Sequence, residues 1–426
     1  MSILHYRNYG RLWRVYGRSF LRYATPRKVV NALRTEYAYR RRKASVRSAP
    51  YILFLEPLYY CNLECPLCDR QVFPDARPGK EAGKLSLERF DRLLDEIGAY
   101  LFQCQIFGQG EPLLDWPLTQ AIIKRCRQRR IFTLMSTNST LITREMAREI
   151  VTSGLDHLVC AVDGISQESY AQYRAAGHVD DAVAGMRFIA AARRETRASL
   201  EIEWQFLVHK GNAHEVEAAK KLAAELGFFF RPAPLRGMEF DPHLQSAWLR
   251  PSKERQTGDT AAGEAVYNWP CYFLWRALTL NSNQKLTRCL IYQNVAEFAD
   301  LNHMSALEAY NSPTMIRARE LFSNGAVADG PFPAPCANCS FLSSPPRRSE
   351  PRQACSPGPR ASAGKQFCPR RRPHDHAAAD AQWHFLIPAP LPDTCALERS
   401  RRRFRLSPMM SALRPRLAGS LHDLFS

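Results

Sequence analysis

The 426-residue sequence contains no apolar run long enough to cross a membrane as a helix. Its basic N-terminus also lacks the continuous apolar stretch of a signal peptide, so we expect a cytoplasmic protein. Thirteen cysteines without a secretory signal are expected to be metal ligands and free thiols rather than a disulfide framework. The composition, 45% hydrophobic and 23% charged, is typical of a globular chain with a sizeable core.

Acidic residues are scarce at both ends of the chain. Residues 1–50 hold thirteen Lys and Arg against one acid, and residues 341–426 hold fifteen against six. The middle of the chain is close to neutral, so the net charge of +18 reflects basic ends. It predicts no specific nucleic-acid partner.

Residues 1–48 are predicted to form a basic helical extension. Aromatic residues of its first part fall largely on one helical face. The arginines recur at helical spacing on another face: Arg7, Arg11, Arg14, Arg18 and Arg22. Thr25 followed by Pro26 predicts the start of a second helix. Two interpretations remain open. The helices cover the body of the protein with a solvated basic face, or residues 1–24 contact an anionic membrane peripherally.

Strands and helices alternate in six units between residues 49 and 237. The predicted strands are "YILFLEPL" (51–58), "CQIFGQGEP" (104–112), "FTLMSTN" (132–138), "HLVCAVDG" (157–164), "LEIEWQFLV" (200–208) and "FFFRPAP" (228–234). This alternation predicts an α/β fold with a parallel sheet, open or curled into a barrel. In such folds the chemistry lies at the C-terminal ends of the strands.

The loop after the first strand holds three cysteines and lacks a fourth ligand. "CNLECPLC" places Cys61, Cys65 and Cys68 at C-x3-C-x2-C spacing, and no further His or Cys occurs before Cys104. A structural zinc site takes four protein ligands. A [4Fe–4S] cluster with three protein thiolates keeps one iron open to an outside ligand. Zinc binding and three unrelated buried cysteines are the alternatives.

This loop resembles that of the radical S-adenosylmethionine (SAM) superfamily. In that family SAM binds the open iron, and the reduced cluster cleaves it to a 5′-deoxyadenosyl radical that abstracts a substrate hydrogen. The resemblance implies an enzyme with a partial (β/α)6 TIM-like barrel over residues 49–237. It also implies SAM and a [4Fe–4S] cluster held by Cys61, Cys65 and Cys68.

Two further motifs follow the next two strands. "GQGEPLL" (108–114) resembles the family's Gly-Gly-Glu-Pro element. The resemblance implies that four consecutive residues hold the methionyl ammonium of SAM: Gly108, Gln109, Gly110 and Glu111. "STNS" (136–139) resembles a Thr-Asn-Gly element, which implies that Asn138 lines the site. Ser139 stands where the family has glycine.

The fourth and fifth strands carry weaker similarities. "AVDGISQESYAQYRAAG" (161–177) resembles a family stretch that implies Asp163 beside SAM and Arg174 paired with its carboxylate. Ala161 stands where serine is usual. "WQFLV" (204–208) resembles the fifth strand of one subgroup, which implies that Gln205 reaches the site. The alternatives are a turn cap for the aspartate, a surface position for the arginine and a sheet-core position for the glutamine.

Residues 238–340 are predicted to be a connector and a small Cys-rich domain. "CYFLWRALTLNSNQKLTRC" (271–289) is interpreted as a hairpin with a cysteine at each end. Together with a later C-x2-C pair it resembles the SPASM or Twitch auxiliary domains, although the hairpin turn has no glycine. The resemblance implies a second [4Fe–4S] cluster, with structural zinc as the alternative, on Cys271, Cys289, Cys336 and Cys339.

The remaining expectations concern the tail and the partners. Residues 341–426 are Pro/Arg-rich and predicted to be mostly disordered, either as an interaction arm or as an out-of-frame extension. The resemblance implies a flavodoxin- or ferredoxin-type electron donor and a small-molecule or peptide substrate. A peptide (RiPP-type) maturase, a modifier of a glycan or lipid-linked intermediate, and a non-catalytic iron–sulfur protein remain open.

Overall fold

The computed structural model describes residues 17–72, 83–234, 271, 273–287, 297–324 and 336. The predicted connector at 238–268, the tail at 341–426, and Cys289 and Cys339 lie outside these residues. Within the described ranges, no helix is both long and apolar enough to span a bilayer.

A nine-stranded sheet forms the centre of the structure. Its strands are β1 (Ile52–Leu55), β2 (Gln103–Ile106), β3 (Phe132–Thr137), β4 (His157–Ala161), β5 (Glu201–Val208), β6 (Phe229–Pro234), β7 (Ala277–Leu280), β8 (Lys285–Thr287) and β9 (Glu297–Asp300). Their order across the sheet is β6-β5-β4-β3-β2-β1-β7-β8-β9. Strands β1 to β6 are all parallel, which confirms the six predicted strands and the α/β fold class.

Helices connect the parallel strands and pack along the sheet. They are α1 (Arg18–Tyr23), α2 (Pro26–Arg40), α3 (Asp69–Val72), α4 (Leu87–Ile97), α5 (Trp116–Gln128), α6 (Arg144–Thr152), α7 (Gln167–Tyr173), α8 (Val179–Thr196), α9 (Val216–Leu226), α10 (Phe273–Arg276), α11 (Ala306–Tyr310) and α12 (Pro313–Asn324). Helix α4 begins where the Ser86 side chain accepts from the Arg89 N–H. Its apolar residues then recur at helical spacing and are buried: Phe90, Leu93, Leu94 and Ile97.

The sheet separates two apolar clusters. The large one holds the helices' apolar faces and the strand residues that alternate toward them, such as Trp204 and Phe206. A small one lies on the other face, where Phe132, Leu134 and Val159 meet Tyr23. Cys104, Cys126 and Cys160 are fully buried and act as small apolar residues of the core.

Helices α1 and α2 lie beneath the N-terminal edge of the parallel strands. The Tyr23 hydroxyl donates to Asp156, just before β4, at 2.6 Å. The buried Lys28 ammonium donates to the Arg130 carbonyl, just before β3. Glu36 pairs with Arg276, just before β7, at 2.6 Å. The described part of the N-terminal extension therefore packs against the body of the protein, and residues 1–16 lie outside the described residues.

The Cys-containing segment differs from the predicted hairpin. Residues 273–276 form the short helix α10, and the hairpin consists of β7 and β8 alone, so Cys271 precedes a helical turn rather than a strand. Strand β7 also pairs in parallel with β1. The predicted small domain therefore continues the main sheet, because its first strand satisfies the backbone groups along the open edge of β1.

Tyr23→Phe tests the closure of the N-terminal edge. The change removes a hydrogen bond to a carboxylate that is largely buried, so we expect the free energy of unfolding to fall by about 1 to 2 kcal/mol. Urea unfolding followed by circular dichroism measures it. Tyr37→Phe is the matched control, because Tyr37 is 43% exposed on α2 and should change stability little. Equal effects of the two changes would contradict the role of Tyr23.

Candidate active site

The three cysteines of the first loop lie together at the C-terminal edge of the sheet. Cys61, Cys65 and Cys68 pack in one small apolar cluster with Leu63, Leu67 and Tyr173. Cys65 is buried and the other two are half-buried. Burial raises the pKa of the Cys61 thiol, and the N–H of Leu63, which donates to its sulfur at 3.4 Å, opposes the rise.

Side chains from two later segments of the chain lie close to these sulfurs. Asn138, after β3, donates from Nδ2 to Cys61 Sγ at 3.9 Å. Arg174, after α7, lies with Nη1 3.8 Å from Cys65 Sγ. N–H donors and a guanidinium beside sulfur stabilise its thiolate form, which is the form that binds metal.

The three cysteines share one loop without forming a ready-made site for a single metal ion. Within the described ranges, no three Cys, His, Asp or Glu side chains are arranged to hold one metal ion. A [4Fe–4S] cluster takes each thiolate on a different iron, so its cysteines need to share a loop without converging on one point.

The glycine-rich loop after β2 packs against the start of the cysteine loop. A Cβ on Gly110 would lie 2.0 Å from the Leu58 carbonyl oxygen, and a Cβ on Gly108 would lie 2.6 Å from the Glu56 side chain. The backbone N–H of Glu111 donates to the Tyr60 carbonyl at 2.7 Å. Glycine is required at both positions because backbone and side chain already fill the space that a larger residue needs.

The Glu111 carboxylate joins the ends of β2 and β3. It accepts from the Leu113 N–H at 3.1 Å, the Thr137 hydroxyl at 2.7 Å and the Asn138 N–H at 2.8 Å. Burial raises its pKa, and these three donors oppose the rise. Asn138 is held in turn, because its amide donates to Asn62 at 2.9 Å and accepts from Thr140.

The backbone conformation at Ser139 favours glycine, which is the residue that the radical SAM family has at this position. Its φ angle is +69°, in the left-handed region that favours glycine. The serine adopts this conformation at the turn after β3 while being fully buried.

Asp163 and Arg174 form a buried ion pair beside the cysteine loop. Arg174 Nε lies 2.7 Å and Nη2 2.6 Å from Asp163 Oδ2, and the Leu207 N–H donates to Oδ1 at 2.6 Å. Burial raises the pKa of Asp163, and the facing guanidinium opposes the rise. Arg174 is thus neither a surface residue nor, as the structure stands, a side chain with all its donors available to a ligand.

Asn212 and Glu215 do not form the helix cap that their spacing suggests. The Asn212 amide donates to the backbone carbonyls of Asp163 and Leu207, at 2.9 and 2.8 Å. Glu215 accepts from the N–H of Ile165 at 2.8 Å. Both residues therefore satisfy backbone groups of the loop after β4 instead of the start of α9.

Gln205 lies on β5 opposite Ala161 of β4. Its side-chain oxygen accepts from Arg231 of β6, which also pairs with Glu203. Glu203 and Arg231 were not predicted from the sequence. Their contact with Gln205 is evident only once the pairing of β5 with β6 is known.

Glu56 is another residue that sequence analysis missed. It follows β1, is 1% exposed, and accepts from the Gln109 N–H at 2.9 Å and the Ser282 hydroxyl at 2.8 Å. It therefore links the glycine-rich loop to the turn between β7 and β8. The signal was a single acid at the end of the apolar segment "YILFLEPL".

Of the four cysteines predicted for a second cluster, two are described. Cys271 and Cys336 are both buried. Cys289 and Cys339 lie outside the described residues.

Residues 55–200 match the family model of the Radical SAM superfamily. This chain carries a radical SAM domain. The matched residues include the cysteine loop, the glycine-rich loop, Asn138, Asp163 and Arg174.

Two relatives and one solved structure resemble this radical SAM chain. The AdoMet-dependent heme synthase of Methanosarcina barkeri is 26% identical over 204 residues, which cover 46% of this chain and 55% of the relative. The PqqA peptide cyclase of Bradyrhizobium diazoefficiens is 26% identical over 186 residues, covering 44% and 46%. The chain thus spans about half the length of these relatives. Streptococcus suis SuiB bound to the precursor peptide SuiA is 13% identical with a TM-score of 0.48, covering 66% of this chain and 69% of SuiB.

Ser139→Gly in the radical SAM domain is expected to raise the free energy of unfolding, by about 1 kcal/mol, because glycine adopts the left-handed conformation without a Cβ clash. Urea unfolding measures the change. Ser136→Gly is the matched control, since Ser136 lies in extended β3 and its loss should lower stability. A destabilised Ser139→Gly variant would contradict the assignment of strain to this turn.

Proposed function

We propose that this protein is a radical SAM enzyme that abstracts hydrogen from a substrate yet to be identified. A [4Fe–4S] cluster held by Cys61, Cys65 and Cys68 supplies the electron that cleaves SAM to a 5′-deoxyadenosyl radical. The observation that carries the proposal is the convergence of the segments after β2, β3 and β4 on the loop after β1. Asn138 reaches Cys61, and Arg174, paired with Asp163, reaches Cys65.

The glycine-rich loop is proposed to bind the methionyl ammonium of SAM. Gly108 and Gly110 let the backbone of this loop lie against residues 56–60, beside the cysteines. The Glu111 carboxylate already accepts from three donors, so its contribution to the ammonium is that of a fixed negative charge. Gln109 contributes through its backbone, which the Glu56 carboxylate holds in place.

The polar side chains around the cysteines are proposed to orient SAM. Asn138 lines the site from β3, and Gln205 reaches it from β5 opposite Ala161. Arg174 binds the SAM carboxylate with the donors that Asp163 leaves available, which keeps the guanidinium near Cys65. Asp163 fixes that guanidinium and prevents it from turning toward solvent.

A second [4Fe–4S] cluster is proposed on Cys271, Cys289, Cys336 and Cys339. The support is chemical. Cys271 and Cys336 are both buried, and a cluster held by thiolates is stabilised where the surrounding protein excludes water. Structural zinc with the same four thiolates is the competing occupant.

The partners follow from this chemistry. A flavodoxin- or ferredoxin-type protein supplies the electron. The substrate is a peptide or a small molecule, and the names of the two relatives, a peptide cyclase and a heme synthase, include one of each. A modifier of a glycan or lipid-linked intermediate is the second candidate. It is favoured by the proposed membrane contact of residues 1–24, where Leu21 is 70% exposed next to Arg22. A cytoplasmic location suits both candidates.

Anaerobic reconstitution tests the reaction. We expect about eight irons per chain, as for two [4Fe–4S] clusters, and release of 5′-deoxyadenosine with dithionite. Cys65→Ala should keep about four irons and release none, because it removes a ligand of the first cluster only. Iron analysis and chromatography of the nucleoside are the two measurements.

Cys126→Ala is the matched control, since Cys126 is a fully buried core cysteine far along the chain from both predicted ligand sets. It should retain the iron content and the nucleoside release. Failure of the wild-type protein to cleave SAM would favour a non-catalytic iron–sulfur protein.

Metal analysis of the same samples tests the second cluster. About four irons and one zinc per chain would replace it with a structural zinc site. We expect zinc below one tenth of an equivalent, and Cys271→Ala should lose about four irons while Cys65→Ala retains them.

A further inference from the structure

Helix α2 exposes a stripe that alternates arginine and apolar residues. Arg27, Val30, Arg34, Tyr37 and Arg41 follow one another at intervals of three or four, so they share one face. All five are exposed, and Leu33 beside them is 58% exposed. Eight large apolar side chains are exposed in the described part of the chain, and four of them lie on α1 and α2. This concentration marks the face as an interaction surface.

A groove with a volume of about 580 Å³ runs beside this stripe. Three guanidiniums line it, from Arg27, Arg34 and Arg47, together with the apolar side chains of Val30 and Leu307. Among the described residues that line it, none is acidic. None of the three arginines forms an ion pair with a described residue, although Arg27 lies over the Tyr100 ring at 5.9 Å.

Ser48 lines the same groove. The residue is 6% exposed, and its hydroxyl has no hydrogen-bond partner among the described residues. The buried hydroxyl adds no negative charge to the groove, so the groove's charge comes from its arginines.

The groove lies at the edge of the sheet opposite the cysteine loop. Ser48 precedes β1, and Tyr100 precedes β2, so both mark the N-terminal ends of the strands. The groove is therefore distinct from the radical SAM site. It also differs from the contact proposed for residues 1–24, because its arginines lie on α2 and in the segment before β1.

We propose that this groove binds the phosphate of an anionic phospholipid, with the apolar residues of α2 in the lipid interface. Arg27, Arg34 and Arg47 neutralise the phosphate and donate to its oxygens. Val30, Leu33 and Tyr37 project from the same face, and burying them in the interface favours a membrane surface over a free phosphate.

Vesicle flotation of the full chain tests the site. The wild type should bind vesicles of phosphatidylcholine mixed with phosphatidylglycerol, and binding should weaken as salt rises. The double variant Arg34→Ser, Arg47→Ser should bind about 30-fold more weakly, given the usual contribution of each arginine near an anionic surface. Lys124→Ser, Lys221→Ser removes the same charge from two exposed outer positions and should bind like the wild type.

The apolar contribution has its own matched pair. Leu33→Ser should weaken vesicle binding about fivefold or more, because a side chain that enters the interface is lost. Leu114→Ser, at a site 45% exposed beside the radical SAM motifs, should leave vesicle binding unchanged. Neither arginine of the double variant forms an ion pair with a described residue, so circular dichroism and thermal unfolding should match the wild type.

Three results would overturn the proposal. The first is a wild type that does not bind the anionic vesicles, or a double variant that binds no worse than its control. The second is binding of soluble glycerol phosphate, measured by calorimetry and lost in the double variant, without vesicle binding. The third is loss of vesicle binding in Arg7→Ser, Arg11→Ser but not in the groove variants, which would assign the contact to residues 1–24.

Discussion

The candidate site depends on Glu111, which lies where three segments meet. Its N–H holds the Tyr60 carbonyl immediately before the first cysteine, and its carboxylate holds the end of β3 through Thr137 and Asn138. A buried carboxylate with three donors is satisfied in only one geometry. The cysteine loop, the glycine-rich loop and the Asn138 turn are therefore fixed relative to one another before any ligand binds.

The sequence predicted the parts of this arrangement that depend on local pattern. Six apolar segments spaced by amphipathic helices define the parallel sheet, and the motifs follow the strands because chain order determines which edge they reach. Thr25 before Pro26 was a recognisable helix start, and its side chain accepts the N–H of Lys28.

Partners that come from distant segments were not predictable. Arg174 pairs with Asp163 of the same motif, which lies 11 residues before it in the sequence. Gln205 contacts Arg231 only because their strands pair. Glu56 contacts Ser282 for the same reason. Asn212 and Glu215 have the spacing of a helix cap, yet their side chains form hydrogen bonds with the backbone of the loop after β4. The helical turn of α10 was missed because the apolar segment that contains it fits a strand equally well.

Helices α1 and α2 cover the N-terminal edge of the sheet and leave the C-terminal edge, with the cysteines, as the side of access. Because α1 and α2 cover one end of the sheet, the proposed substrate and electron donor would have to approach from the end that carries the cysteines. A chain attached to a bilayer through α2 would turn that end toward water, so any lipid-linked substrate would have to extend its reacting group beyond the headgroups and around the barrel. In that orientation a lipid-linked substrate with a short headgroup would not reach the cysteine loop, whereas a soluble peptide would.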